Sequence, residues 1–471
     1  ALVAEPDPHG RGPGRLRVPD LKTRMRVIIT ASATGTLLEW YDLFLAVILA
    51  RALSKSFFPY NDSTAFLETL AIVVSSFLIR PIGSLIFGSI GDRTGRKRSF
   101  LLSLLLMGTA TFLIGLIPNY SAIGWLAPGC LLILRLIQGF ALSGEYAGAI
   151  IYTCEHAPPE KRGYYTGFTQ ATVPVGLILC LLVVIIVQSA MSPEDFADWG
   201  MRIPFLSSAL LVVFAYLVRR RIEETPYFLQ LKGSGNIARS PVKEVLADKS
   251  KLKLMLKIIF GGNAAQSAIM HSSQFVTLYF LQRTVHVQEF TTYIILATAL
   301  LGGAPFYQLA GKWSDTVGRK KIIFYGMALA LISIPLSFYL FLRLGNPEGL
   351  ATPHDIGAGT TLFFILLVFV NTFASALVYG PMGAFVLEYF QGRTRYTAMG
   401  FTHNIGNGLI GGATPLVTEF LRTTLSVSAP FAPFVGLLYP MCLIVVGLII
   451  NPLLGRAETE TGTQLSTPAA S

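Results

Sequence analysis

Apolar runs of roughly 20 residues, the length a helix needs to cross the hydrocarbon of a bilayer, recur along the whole chain with short polar breaks between them. Twelve spans are predicted, at 27–50, 64–90, 99–118, 124–153, 164–190, 202–218, 255–282, 290–310, 322–342, 360–388, 396–421 and 431–454. Only one connection is long, 219–254 between the sixth and seventh spans. The pattern predicts an all-α membrane protein organised as a polar tail (1–26), a six-helix bundle (27–218), a central loop (219–254), a second six-helix bundle (255–454) and a short tail (455–471). No stretch remains for a separate soluble domain.

The polar breaks repeat. Gly88-Ser-Ile-Gly-Asp92-Arg93-Thr-Gly95-Arg96-Lys97-Arg98 recurs 223 residues later as Gly311-Lys-Trp-Ser-Asp315-Thr-Val-Gly318-Arg319-Lys320-Lys321. A second pair, Glu155-x6-Arg162 and Glu388-x6-Arg395, is offset by 233 residues. Two repeats in the same order, each between apolar runs, predict two pseudo-symmetric bundles in one molecule, the architecture of a solute carrier.

Composition agrees: 52% of the residues are apolar and 13% charged, too few charges to cover a soluble protein of 471 residues. The net charge of +11 would fit nucleic acid, but its distribution points elsewhere. With the N-terminus inside, 29 Lys and Arg fall on cytoplasmic segments and 6 on the opposite side. That asymmetry predicts a multi-pass protein of the cytoplasmic membrane with both termini in the cytoplasm. It leaves no role for nucleic acid, because the basic residues set topology and meet anionic lipid headgroups. The segment 1–26 reads as disordered, with no cleavable leader, and the first span as an uncleaved anchor. Cys130, Cys154, Cys180 and Cys442 lack paired spacing, so neither a disulfide framework nor a metal site is expected. In the central loop, Ser240-Pro241 reads as a helix start, and 242–257 as a helix lying along the inner membrane surface.

Charges inside spans are expensive unless paired or functional. Span 1 carries Glu39 and Asp42 on one face, span 2 carries Arg80, and span 4 carries Arg135, Gln138 and Glu145. Counted from the outer ends, Asp42 and Arg135 lie about 12 and 16 Å deep, so the two are expected to meet. An Asp–Arg pair in a wet cavity can exchange its salt bridge for a proton, which makes Asp42, Glu39 and Arg135 candidates for proton coupling. A permanent ion pair pinning spans 1 and 4 is the alternative. Span 7 presents a polar stripe that includes His271 and Gln274, and Gln170, Asn371, His403, Asn404 and Asn407 lie in spans 5, 10 and 11. With Arg80, Arg135 and Gln138 these form the candidate substrate site. The repeated turns supply candidate gates: Gly88, Asp92, Gly95 and Arg96 in one half, Asp315, Gly318 and Arg319 in the other. Asp92 and Asp315 are expected to cap the next helix or to bind neighbouring basic groups. Glu145, Glu155, Arg162, Glu388 and Arg395, nearer the cytoplasm, are assigned gate or capping roles.

On these motifs the chain resembles the major facilitator superfamily and, within it, the metabolite:proton symporter family. The carrying residues are Gly35-Thr-Leu-Leu-Glu39-Trp40-Tyr41-Asp42, Arg80-Pro81-Ile82-Gly83, the double turn, Arg135-Leu-Ile-Gln138-Gly139, Gly144-Glu145, Glu155-His-Ala-Pro, Arg162-Gly163 and Glu223-Glu224-Thr225-Pro226. The N-terminal half looks closest to the shikimate-like branch. The resemblance implies proton-coupled uptake of a small organic acid such as shikimate, citrate or 2-oxoglutarate, or of a zwitterion such as proline or betaine, by a functional monomer. It implies no cofactor, the proton gradient being the energy source. Two departures stand out: Ser143-Gly144-Glu145-Tyr146, where relatives have Gly-Gly-Glu and often Trp, and Thr402-His403-Asn404, where many carry Tyr-Asn. The expected function is proton symport of a carboxylate metabolite. A zwitterion symporter and a proton-independent facilitator stay open. No HExxH, P-loop or nucleophile motif marks an enzyme.

Overall fold

A computed structural model describes residues 21–59, 63–219, 224–390, 392–425 and 431–455. Most of both predicted tails, Arg220, Arg221 and Glu223 of the central loop, and the Arg96 side chain lie outside the described residues. In the first half the spans are Leu21–Ile48, Ser63–Leu78 continued by Arg80–Thr94, Arg96–Ile114, Leu126–His156, Arg162–Ser189 and Ile203–Arg219. In the second half they are 249–283, Glu289–Val317, Arg319–Gly345, Ala358–Glu388, 395–424 and 432–453. The break in span 2 falls at Ile79, one residue before the Arg80-Pro81 pair, where proline opens the second segment at its tolerated first turn.

Eight of the twelve spans are long and apolar enough to cross a membrane by those criteria alone. The four others are the short span 6 and spans 1, 7 and 11. Among the described residues, spans 7 and 11 are the ones that contain π turns. Span 7 has π turns at Ile259–Asn263 and Ser272–Val276, and span 11 has one at Asn404–Gly411. A π turn inserts a residue and rotates the face that follows, so the polar stripe of span 7 does not keep one simple period. Spans 7 and 11 pack on each other through these turns, with Gly406 against Asn263 and Gly411 against Ser267.

The central loop does not run along the surface as one helix. It forms Pro241–Leu246 and then Lys249–Ile258, and the second continues directly into span 7. Asp248 separates them and caps the second, accepting from the N–H groups of Ser250 at 3.0 Å and Lys251 at 3.1 Å.

Each repeated turn reverses at a glycine of positive φ: Gly95 at +107° and Gly318 at +103°. L-residues avoid this region, so the same glycine ends one span and starts the next in both halves.

Candidate functional site

At the end that carries the basic turns, the halves cap each other. Asp92 Oδ2 accepts the backbone N–H of Thr397 at 3.0 Å and its hydroxyl at 2.8 Å, in the first turn of span 11. Asp315 accepts the N–H groups of Gly163 at 2.9 Å and Tyr164 at 2.7 Å, in the first turn of span 5. The expectation that these aspartates cap the next helix in sequence is corrected here. Each caps a helix of the opposite half, where the unsatisfied N–H groups and the positive end of the helix dipole attract a carboxylate. Arg319 binds Asp315 and Glu388 within its own half, as expected for a basic group beside the turn. Arg395 faces Glu155 across the interface at 3.8 Å, and Tyr396 donates to the Gly144 carbonyl of span 4. Arg162 lies in the same charged group, close to Cys154 together with Glu388, Arg319 and Arg395. Gly88 lets the Thr397 backbone approach within 2.8 Å of where a Cβ would stand, and Gly163 and Gly311 pass backbone against backbone.

The opposite end is also closed. Arg51 of the first half binds Glu289 of the second at 2.8 Å. Tyr279 of span 7 donates to the Val47 carbonyl at 2.8 Å, and its ring meets Phe66 edge-on. Arg283 lies over the Phe66 ring at 4.0 Å and binds Glu419 at 3.4 Å.

Between these ends lies a buried polar centre, and here the predicted Asp42–Arg135 pair is not formed. Arg135 donates to Gln138 Oε1 (2.8 Å), the Val73 carbonyl (2.9 Å), Ser76 (3.1 Å) and the Leu43 carbonyl (3.4 Å). It thereby ties spans 1, 2 and 4 of one bundle. Gln138 donates in turn to Thr111 of span 3 at 2.7 Å, and Asp42 lies against the same Thr111. Phe44 packs on Phe275 of the other half at 5.2 Å; at about 100° per residue, Glu39 and Asp42 fall on the far side of span 1. The acidic residues therefore face the interior of their own bundle. Glu145 likewise accepts from Thr36 and Ser103 within the first half, so its described bonds are not those of a gate between the halves.

Arg80 stands at the centre between halves. It is 2% exposed, its guanidinium lies 4.3 Å from the Phe77 ring centroid, and Gly408 of span 11 packs on its stem. Its Nε and Nη2 have no hydrogen-bond partner. Tyr379, His271 and His403 are close enough to feel its charge. His403 stacks on Tyr146 of the other half at 3.8 Å, and Gln170 holds the Tyr146 hydroxyl at 2.7 Å. Gln274 and Asn371 are buried with both side-chain polar atoms unpartnered. Asn404 donates to the Ser143 carbonyl across the interface at 3.0 Å. Asn407 donates to Gln266 at 2.8 Å and so joins spans 7 and 11 within one half. Gln138 and Asn407 are thus bound inside their bundles rather than presented to the centre. Sequence reasoning missed Tyr379, Phe77 and Thr111, which sit in apolar runs with nothing to set them apart; Tyr146 was visible only as a departure from its relatives.

Two duplicated six-helix bundles, closing on each other at both ends over a buried polar centre, define a two-half solute carrier. The comparisons give the family. The "Sugar (and other) transporter" family matches residues 27–300, and the "Major Facilitator Superfamily" family matches residues 260–470. The chain belongs to the major facilitator superfamily and is a transporter, not an enzyme. The inner membrane metabolite transport protein YhjE of Escherichia coli (strain K12) is 30% identical, over 87% of this chain and 90% of the relative. The proline/betaine transporter of the same strain is 31% identical, over 95% and 87%. The alpha-ketoglutarate permease of that strain is 29% identical, over 87% and 90%. Among solved structures, the proton:xylose symporter XylE superposes with a TM-score of 0.69 at 18% identity, over 92% of this chain and 95% of that one, and shows the twelve-helix fold.

Proposed function

We propose that this chain is a proton-coupled symporter that takes up a small carboxylate-bearing metabolite across the cytoplasmic membrane by alternating access. In this reading both termini and the basic turns face the cytoplasm, the monomer is the working unit, and the proton gradient supplies the energy without a bound cofactor. Arg80 carries the proposal. A buried guanidinium with no carboxylate partner among the described residues is costly, and Nε and Nη2 form the edge that receives both oxygens of one carboxylate. Binding the anion there compensates the buried charge.

Asp42 is the proton carrier in this reading. It is 2% exposed, has a free Oδ1, and sits one hydroxyl away from the Gln138–Arg135 group. Rocking of the halves alternately opens the Asp92–Thr397 end and the Arg51–Glu289 end. Similarity to the proline/betaine transporter supports a second reading, a zwitterionic substrate. Its carboxylate would use the same arginine, but no carboxylate among the described residues pairs with Arg80 to meet a cationic end.

The test is uptake into proteoliposomes of labelled shikimate, citrate, 2-oxoglutarate, proline and betaine, with and without an inward proton gradient. Gradient-driven accumulation of an acid, lost in Arg80→Gln and uncoupled in Asp42→Asn, is the expected result. Equal uptake without a gradient, unchanged by Asp42→Asn, would make the protein a facilitator.

A further inference from the structure

The protonation pattern around His271 narrows the substrate class. His271 Nδ1 lies 2.8 Å from the Ser267 carbonyl, which can only accept, so Nδ1 carries the hydrogen. The Ser267 hydroxyl is 3.1 Å from the same nitrogen, and its own hydrogen goes to the Asn407 carbonyl at 2.8 Å, so it too accepts from Nδ1. With Nδ1 protonated, Nε2 of the neutral ring is an acceptor. That atom is buried and has no partner. The Phe77 ring, which carries Arg80 on its face, meets His271 edge-on at 5.6 Å and holds the two together. Across the centre, the Tyr379 hydroxyl is buried and unpartnered, and its ring meets the edge of Tyr146 at 6.5 Å, under the stacked His403.

Resting on the carboxylate reading above, we infer that the substrate is a hydroxylated carboxylate: Arg80 takes the carboxylate, His271 Nε2 accepts a hydrogen bond from a substrate hydroxyl, and Tyr379 reads a further oxygen. An oxo acid or a plain dicarboxylate offers His271 only another acceptor, and betaine has no hydrogen to donate. A buried acceptor left facing an acceptor is penalised far more than a missing methylene, which makes the donor a strong selector. His271 and Tyr379 are specificity-determining residues in this scheme.

The experiment is equilibrium binding to the purified full-length protein in lipid nanodiscs, with probes matched in size: shikimate against cyclohex-1-ene carboxylate, and 2-hydroxyglutarate against 2-oxoglutarate, with betaine and proline alongside. At least one hydroxylated acid should bind about tenfold or more tighter than its matched partner. Tyr379→Phe, which removes one oxygen and keeps the ring, should weaken shikimate severalfold and leave cyclohex-1-ene carboxylate, which has no further oxygen, unchanged. His271→Phe should erase the difference within the pair; the wild-type ratio decides the matter should that variant melt early. Equal or tighter binding of the unhydroxylated partners, or preference for betaine or proline, overturns the hydroxyl reading and leaves Arg80 as a carboxylate site provided Arg80→Gln abolishes binding. Binding of any of these probes that survives Arg80→Gln, or no saturable binding by any acid, overturns the carboxylate reading and this inference with it.

Discussion

Asp92 grips the first turn of a helix 305 residues away: its carboxylate receives both the N–H and the hydroxyl of Thr397. Asp315 repeats the arrangement in the other direction, on Gly163 and Tyr164. A carboxylate at a helix N-terminus is worth about 0.3–1 kcal/mol when exposed and up to about 2 kcal/mol when partly buried. Asp92→Asn keeps an acceptor and removes the charge. It should lower the closed-to-open ratio at the basic end by roughly fivefold, and the double variant with Asp315→Asn by more. Pulsed EPR distances between labels at Thr94 and Thr316, both exposed and in different halves, measure this. An unchanged distribution in the double variant would show that the carboxylates do not hold the closure.

Gly311→Ala tests the contact of backbone on backbone. A methyl there meets the Gly163 carbonyl, and backbone cannot step aside as a flexible side chain can. Overpacking costs about 1–3 kcal/mol, enough to hold the basic end open. Cys154 is a native reporter, because it is buried and lies beside the gate charges. With Cys130 and Cys442 replaced by Ser, a thiol reagent should modify Cys154 at least about fivefold faster in Gly311→Ala than in the parent. Equal rates would mean the bundles tolerate the methyl by another route.

Asp42→Asn separates coupling from binding. Asp42 lies on the far side of span 1 from the interface, so its loss leaves Arg80 and its surroundings intact. Gradient-driven accumulation should disappear while exchange of substrate for substrate continues at a comparable rate. Loss of both activities together would assign Asp42 a packing role.

Arg51 and Glu289 form the closure at the opposite end, each about one-third exposed. Arg51→Glu should slow uptake, and adding Glu289→Arg should restore part of it. A double-mutant cycle on uptake rates is expected to give a coupling of about 0.2–1 kcal/mol that shrinks at high salt. Additive effects at low salt would remove the pair from the transport cycle.

Much of this was legible from residues alone. Gly95 and Gly318 were readable as turns because chain reversal between two spans, followed at once by three basic residues, leaves little choice of backbone. Arg80 was readable as a candidate because a lone cation inside a span demands an explanation, and the structure leaves it buried with Nε and Nη2 unpartnered. The Asp42–Arg135 pair failed for a geometric reason. Counting from the helix ends gives depth but not direction around the helix axis. Direction was decided by Gly139, whose missing side chain lets span 4 press against the Ser76 carbonyl and brings Arg135 to the carbonyls of Val73 and Leu43. The partners of Asp92 and Asp315 were hidden differently: the motif shows an acceptor, and only the packed halves show which helix end it meets. Tyr379 had no signal, being one aromatic in a run of apolar residues.

Thr397 and His403 belong to one helical segment, Arg395–His403, that ends where the π turn begins. They are six residues apart, about 9 Å along the axis. The start of span 11 is therefore a short segment with the Asp92 cap at one end and the His403–Tyr146 stack at the other. Whatever separates that stack also pulls on the turn that Asp92 holds, so a change at the buried polar centre reaches the basic end through one short helix.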